Sequence, residues 1–528
     1  MILICKIHIT SSKKISKLAG YHLAMKVFRT NQIKAIDDYT IEHEPIESID
    51  LMERAATALF TWFSNRYSEN HQVKIFCGPG NNGGDGMALA RLLIIAGFKT
   101  HTFYLKSDSY TSNFTLNLER LKGLTSEVHL IKNHSDFPAI LPGDLVIDAL
   151  YGSGLSRPVE GMAAQLIEHI NSSHAKVISI DIPSGLFGEA NPFPNTNPVI
   201  KADYCLSFQF PKLAFFMPEN EQFVKQWAVL HIGLHPLAIE NTPTSYFYTV
   251  ANSIRAELFR LSTFAHKGTF GHALVLAGSY GMMGAACLCA KSAIRSGTGL
   301  VTMHVPEIGY QIAQLDVPEA LTSVDSSDTH LTEFPTLERY NAIAVGPGIA
   351  QSSDTGEMLF KLIKSSRAPL VIDADGLNLL SRNIDILSDA KAQVILTPHP
   401  GEFDKLFGKS QNSWQRLELA SEMAKKFNAI IVLKGAYTRV VLPNGNVHFN
   451  STGNPGMATG GSGDVLTGII TGLLAHGLSP TDAAITGVFI HGLAGDLAAD
   501  DFGKISLCAS DIVSYICKAF NHITKNNE

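Results

Sequence analysis

Two glycine-dense stretches hold the residues whose types and spacing could do chemistry. The first, GPGNNGGDG from Gly78 to Gly86, follows the strand-like run VKIFC and opens a helix-like run from Met87 to Ala96. Its glycines let backbone amides turn toward a ligand, and a helix start adds partial positive charge. An anionic group such as a pyrophosphate is the natural occupant. Asn81, Asn82 and Asp85 supply oxygen ligands and donors that a simple turn does not require. Two more strand-like runs end in a similar way. LVIDALYGSGLSRP places Asp148 before a glycine and serine loop closed by Arg157, and VISIDIPSG places Asp181 before Ser184. One such aspartate is as easily a helix cap or turn former. Three strand ends of this kind in one sheet point to a shared site. Asn82, Asp148 and Ser184 offer hard oxygen ligands for a group I or II cation. His231 and His235 have i,i+4 spacing, but they lack an accompanying glutamate and precede a proline, so they are not read as a metal pair.

The second stretch, GNPGMATGGSGDVLTGIITGLLAHG, sets glycines against a helical run in which Leu466, Ile470 and Leu474 fall four apart. Gly460, Gly461 and Gly463 expose amides at the helix start as an anion hole, with Asp464 on the first turn. An anion hole beside a carboxylate can deprotonate a hydroxyl while stabilising the charge of a transferring phosphate.

These residues need a scaffold, and the apolar pattern supplies one. LMERAATALFTWFSNRY spaces Leu51, Ala55, Leu59 and Phe63 four apart, with Met52, Ala56 and Phe60 beside them, as a core-facing helix. Short apolar runs then alternate with helix-length segments, the rhythm of a parallel sheet wound with helices, whose ligands gather at strand C-termini. Around residues 236–252 this rhythm lapses into a Pro, Thr and Asn stretch, which marks the domain boundary. A second α/β series follows, HALVLAGS to AIIVLKG, and then TRVVLPNGNVHFN, where Asn444-Gly445 signals a hairpin.

Composition narrows the function. A chain of 528 residues with 45% hydrophobic and 17% charged residues is globular and long enough for more than one core. A net charge of -6 gives no excess of basic residues for a nucleic-acid backbone. Seven cysteines with no CxxC pair make no complete disulfide framework and point to a reducing compartment, the cytoplasm. No run reaches the ~18 to 20 apolar residues of a membrane-spanning helix. The opening twenty residues make a poor signal peptide, and residues 1–24 read as an extension of uncertain status ahead of Met25.

Through NNGGDG, VIDALYGSG and DIPSG, residues 25–235 resemble the epimerase domain of the bifunctional NAD(P)H-hydrate repair enzymes. Through HKGTFGHALVLAGS, AVGPG, VIDADGLNLL, TPHPGE, LKGAYT and NPGMATGGSGDVLTG, residues 253–522 resemble that family's dehydratase domain. The resemblance implies a Rossmann-like three-layer domain at residues 25–240 and a ribokinase-like α/β domain at 250–526. It implies that the first interconverts the R and S epimers of hydrated NADH or NADPH (NADHX, NADPHX). The second would dehydrate the S epimer at the expense of ADP, carried with Mg2+. In the first domain, Asn81, Asn82, Gly83, Gly84 and Asp85 with Gly152, Ser153, Gly154, Leu155, Ser156, Arg157 and Pro158 would contact the hydrated dinucleotide. Asn82, Asp148 and Ser184 would hold potassium, and Asp181 would be the acid/base group. In the second, Lys434, Gly435, Ala436, Tyr437, Thr438 and Gly463 would bind the nucleotide. Ala285, Gly348, His399 and Asp464 would face the hydrated cofactor, with Asp464 as the base, although His399, between two prolines, could simply be held by its turn. The resemblance also implies a homo-oligomer. A ribokinase-like small-molecule kinase with an accessory nucleotide-binding domain is the rival enzyme, and a scaffold protein whose first half has lost catalysis is the rival of another class.

Overall fold

A computed structural model describes residues 24–255, 258 and 262–525. The extension expected at residues 1–24 falls, but for its last residue, outside the described residues, as does residue 526. Apart from the N-terminal residues, the chain divides into two compact units, the first ending at Thr244 and the second beginning at Ser245. The stretch where the rhythm lapses is not structureless. It carries a short helix, Pro236–Asn241, capped by the His235 ring, and a strand, Tyr246–Thr249.

The first unit is built on a parallel sheet of seven strands: β1 (Gln72–Cys77), β2 (Lys99–Leu105), β3 (Val128–Ile131), β4 (Leu145–Ala149), β5 (Lys176–Ile180), β6 (Tyr204–Phe208) and β7 (Trp227–Leu230). Their order is β3-β2-β1-β4-β5-β6-β7, a doubly wound arrangement that reverses between β1 and β4. Every residue of β4 is buried, as a strand covered on both faces requires. The helix Ser48–Ser64 buries Leu51, Met52, Ala55, Ala56, Leu59 and Phe63 as its spacing predicts, but Trp62 rather than Phe60 completes the face. Each fully buried large side chain contributes roughly 1.5–3 kcal/mol.

The second unit carries β8 (Tyr246–Thr249), β9 (His272–Leu276), β10 (Leu300–Val305), β11 (Leu321–Val324), β12 (Ala342–Val345), β13 (Leu370–Ile372), β14 (Val394–Leu396), β15 (Ala429–Leu433), β16 (Arg439–Val441) and β17 (Val447–Asn450). They lie in the order β8-β17-β16-β15-β14-β13-β12-β9-β10-β11. Only β16 runs antiparallel to its neighbours, and the β16–β17 hairpin turns at Asn444-Gly445, with Gly445 at φ +86°. This sheet reverses between β12 and β9. The helix Ser462–His476 is buried from Val465 to Ala475, so its N-terminus is fixed by packing on all sides. No helix among the described residues is long and apolar enough to cross a membrane.

Candidate active sites

In each unit the chemistry-bearing residues gather where the strand order reverses, the place such sheets leave a crevice. In the first unit a β-carbon on Gly78 would stand 1.8 Å from the Leu150 carbonyl oxygen, so only glycine lets the turns after β1 and β4 meet. The helix begins at Asn81, earlier than the run from Met87 to Ala96 implied, and spans Asn81–Ile95. Gly80 is its N-cap and no side chain caps it. NNGGD is therefore the helix's opening rather than a loop before it: Asn82, Gly83, Gly84 and Asp85 are buried and Asn81 is exposed.

Asp181 follows β5 at φ +67°, a conformation that costs a non-glycine residue energy and that surrounding contacts must enforce. Ser153 N donates to its Oδ2 at 3.0 Å, and Lys212 Nζ lies 2.7 Å from its Oδ1. A β-carbon on Gly152 would lie 3.3 Å from Asp181 Oδ2 and 3.4 Å from Asn82 Cβ. Asn82, Gly152, Ser153 and Asp181 thus lie side by side. Leu155 is half-buried, while Gly154, Ser156, Arg157 and Pro158 form the exposed rim of the loop.

Burial drives the Asp181 carboxyl upward, but the Lys212 ammonium together with hydrogen bonds from Ser153 outweighs it and holds the group below its ordinary range. The neighbouring carboxyls are not held down in this way: Lys212 lowers Asp37 only in part, and it does not act on Asp85. Burial, then the charges of Asp181 and Asp37, push Asp85 well above its usual range. Burial, then Asp181, push Asp37, on the helix Thr30–His43, to about 7. One ammonium keeps one carboxylate ionised, and the other two carboxyls rise.

Asp148 is fully buried. Its oxygens accept from Ser184 Oγ (2.6 Å), Ser179 Oγ (2.7 Å), Ser184 N (2.9 Å) and Leu150 N (3.2 Å). Ser184 Oγ also accepts from Tyr151 N at 2.8 Å. Asn82 Nδ2 is buried with no hydrogen-bond partner.

In the second unit a cavity of about 420 Å3 is lined by Met282, Ala285, Gly348, Asp375, Glu402 and Asp464, among others. Gly461 caps the helix Ser462–His476 at φ +87° with no side-chain bond to its amides, so the N-terminus is open to an anion. Lys434, just past β15, reaches Asp373 Oδ1 at 2.7 Å and Glu402 Oε2 at 3.8 Å. Thr467 Oγ1 donates to Asp373 Oδ2 at 2.8 Å. A β-carbon on Gly463 would lie 3.3 Å from Lys434 Nζ, which sets that cation against the helix start. Burial, then the charge of Asp373, push Asp464 to about 7. Gly435, Ala436, Tyr437 and Thr438 form the turn between β15 and β16, with Gly435 and Ala436 exposed. His399 is not among the cavity's lining residues. Its Nδ1 caps the helix Pro400–Phe407, accepting from Gly401 N at 3.0 Å, so its turn does hold the ring. A wider open depression of about 520 Å3 in the first unit, lined by Asp50, Arg54 and His231 among others, contains none of these residues.

Comparison with known proteins identifies the family of each unit. Residues 273–518 match the family described as NAD(P)H-hydrate dehydratase, and residues 48–214 match the YjeF-related protein N-terminus. The bifunctional NAD(P)H-hydrate repair enzyme of Moorella thermoacetica is 35% identical, covering 89% of this chain and 92% of its own. That of Thermofilum pendens is 34% identical over 96% and 98%, and that of Escherichia coli 33% over 90% and 91%. The chain belongs to the bifunctional NAD(P)H-hydrate repair enzymes. It therefore pairs an NAD(P)H-hydrate epimerase unit with an NAD(P)H-hydrate dehydratase unit. A Bacillus subtilis ADP/ATP-dependent NAD(P)H-hydrate dehydratase structure, co-crystallised with ATP and Mg2+, is 32% identical and covers 52% of this chain and 97% of its own, with a TM-score of 0.46.

Within this repair enzyme the sequence reading missed Lys212, Asp37, Asp373, Glu402 and Thr467. For Asp373 a signal existed: VIDADG ends a strand in aspartate just as LVIDA and VISID do. Glu402 lies inside TPHPGE, where His399 drew the attention. Lys212 and Asp37 had no local signal.

Proposed function

We propose that the two clusters divide the repair chemistry, epimerisation at Asp181 and ADP-dependent dehydration at Asp464. The observation that carries this is Asp464 itself, a carboxyl on the first turn of an uncapped helix lining a cavity whose lining also includes Ala285 and Gly348. The S-hydrate lies in that cavity with its ring hydroxyl toward Asp464, and ADP enters as its Mg2+ complex with its terminal phosphate at the helix N-terminus. Asp464 takes the hydroxyl proton as the oxygen attacks the terminal phosphorus. The new P–O bond displaces AMP. The carbon–oxygen bond then breaks, phosphate departs, an adjacent ring carbon loses a proton, and the ring double bond of NADH or NADPH returns. Amides of the helix start and the Lys434 ammonium stabilise the phosphate charge throughout. The turn Lys434 to Thr438 and Gly463 hold the nucleotide.

In the first unit, carboxyls whose environments drive them apart are an acid and base set. Asp181, kept ionised by Lys212, is the base, and Asp85 or Asp37, pushed upward, holds the complementary proton. Asn81 to Asp85 and Gly152 to Pro158 contact the dinucleotide. Asn82, Asp148 and Ser184 fit a potassium ion in donor chemistry, since all three side chains bear hard oxygen donors. When bound, the ion supplies positive charge that orders the loop beside Asp181.

The six described cysteines are unpaired thiols, which supports work in the cytoplasm. Exposed apolar side chains grouped along the chain, Tyr280, Ile308, Tyr310, Ile312 and Leu315, support a homo-oligomer, since clustered exposed apolar residues mark interfaces.

The test is to incubate hydrated NADH with ADP and follow products. Equal amounts of AMP, phosphate and reduced nicotinamide support the reading; a stable phosphorylated product would make the second unit a kinase.

A further inference from the structure

The geometry points to a zinc-class divalent cation site made by His101, Glu127 and His129, at the sheet edge of the first unit. Strands β2 and β3 pair in parallel with Thr102 opposite Val128, and Thr102 N donates to the Glu127 carbonyl at 2.9 Å, carrying the ladder one residue back. His101 therefore faces Glu127 across the strands, and His129, two residues on, shares Glu127's face.

His101 Nδ1 lies 3.0 Å and His129 Nε2 3.3 Å from the same oxygen, Glu127 Oε2. All three ligand atoms fall within 4.8 Å of one another, the one group among the described residues to do so. Zinc bound tetrahedrally at ~2.0–2.2 Å sets its ligand atoms roughly 3.3–3.5 Å apart, so two of the three edges are nearly in place. The third closes by small rotations of half-exposed side chains. The imidazole planes are already within 19° of parallel, and His129 stacks on Phe103 with centroids 5.1 Å apart, which restricts the ring before a metal arrives. Two imidazoles and one carboxylate suit a borderline cation such as Zn2+ or Co2+, and the half-exposed setting leaves a fourth position for water.

The site is separate from the epimerase pocket. That pocket follows the C-terminal ends of strands, whereas His101 precedes the end of β2 by four residues, roughly 13 Å of strand. A bound cation would clip the edge strand β3, paired on one side only, to its neighbour β2.

The full chain is titrated with Zn2+ by calorimetry and with Co2+ by visible absorption, alongside the double variant His101→Gln, His129→Gln. The wild type should bind one more equivalent of Zn2+ than the double variant, show tetrahedral Co2+ bands that the variant lacks, and melt higher with Zn2+ where the variant does not. Epimerisation, carried by the same unit at a separate site, checks that the variant's first unit is intact. If it is not folded, Glu127→Gln replaces it and should weaken Zn2+ binding by at least ~10-fold. Equal Zn2+ stoichiometry and affinity in wild type and folded variant, with identical Co2+ spectra, would overturn the site and leave an ordinary surface ion pair.

Discussion

Lys212 Nζ sits 2.7 Å from Asp181 Oδ1, and Lys434 Nζ sits 2.7 Å from Asp373 Oδ1. In both units one ammonium is pinned to a strand-end aspartate amid further carboxyls. What differs is which carboxyl the lysine holds. In the epimerase unit it is Asp181, which stays ionised; in the dehydratase unit it is Asp373, and Asp464 is left to rise to about 7.

Replacing Lys212 with Met should therefore raise the pKa of Asp181, because the burial that drives it up remains and the charge that held it down is gone. A base needs its ionised form, so the acid limb of the epimerisation profile should move to higher pH. The rate at neutral pH should fall by about 10²-fold. Breaking a buried pair costs about 3–5 kcal/mol, so the melting temperature is read alongside. Lys212→Arg should recover part of both. An unmoved acid limb would separate Lys212 from the ionisation of Asp181.

In the dehydratase unit kcat/KM for the S-hydrate should climb through about pH 7 as Asp464 loses its proton. Asp373→Asn removes a charge that raises Asp464, so the climb should shift to lower pH while the ADP KM rises through loss of the Lys434 anchor. A pH profile of the variant matching the wild type would deny the coupling of these two carboxyls.

Much of this was legible where chemistry is local. Asp464 among Gly460, Gly461 and Gly463, and Asp181 at the end of β5, declare themselves by type and neighbours. The helix starting at Asn81 was read too late because its first turn is written in Asn and Gly, poor helix formers that serve here by approaching β1 and β4 closely. Lys212 stayed hidden since its partner is chosen by the packing of a loop after β6 against β5, which no periodicity records. Lys434 and Asp373 are 61 residues apart, joined only when parallel strands β13 and β15 flank β14. His399 already had the weaker case in sequence, because it sits between two prolines, and its Nδ1 is engaged as a helix cap.

Potassium should support epimerisation and leave dehydration of the pure S epimer unchanged. Asp148→Ala removes the acceptor of four internal hydrogen bonds and should weaken epimerisation, with added potassium restoring part of it. Equal epimerisation in potassium-free and potassium-containing buffer would count against Asn82, Asp148 and Ser184 as the cation site.

The division of labour is tested most directly by resolving the two epimers chromatographically while a mixed hydrate sample is consumed with ADP. Wild type should convert both to reduced cofactor. Asp464→Asn should slow dehydration by roughly 10²-fold or more while the epimers still interconvert. Asp181→Asn should consume the S epimer at the normal rate and then stall with the R epimer remaining, apart from slow spontaneous exchange. Each variant keeps the activity the other loses, which excludes general unfolding. Consumption of both epimers at the wild-type rate by Asp181→Asn, or near-normal dehydration by Asp464→Asn, would contradict the assignment of that aspartate.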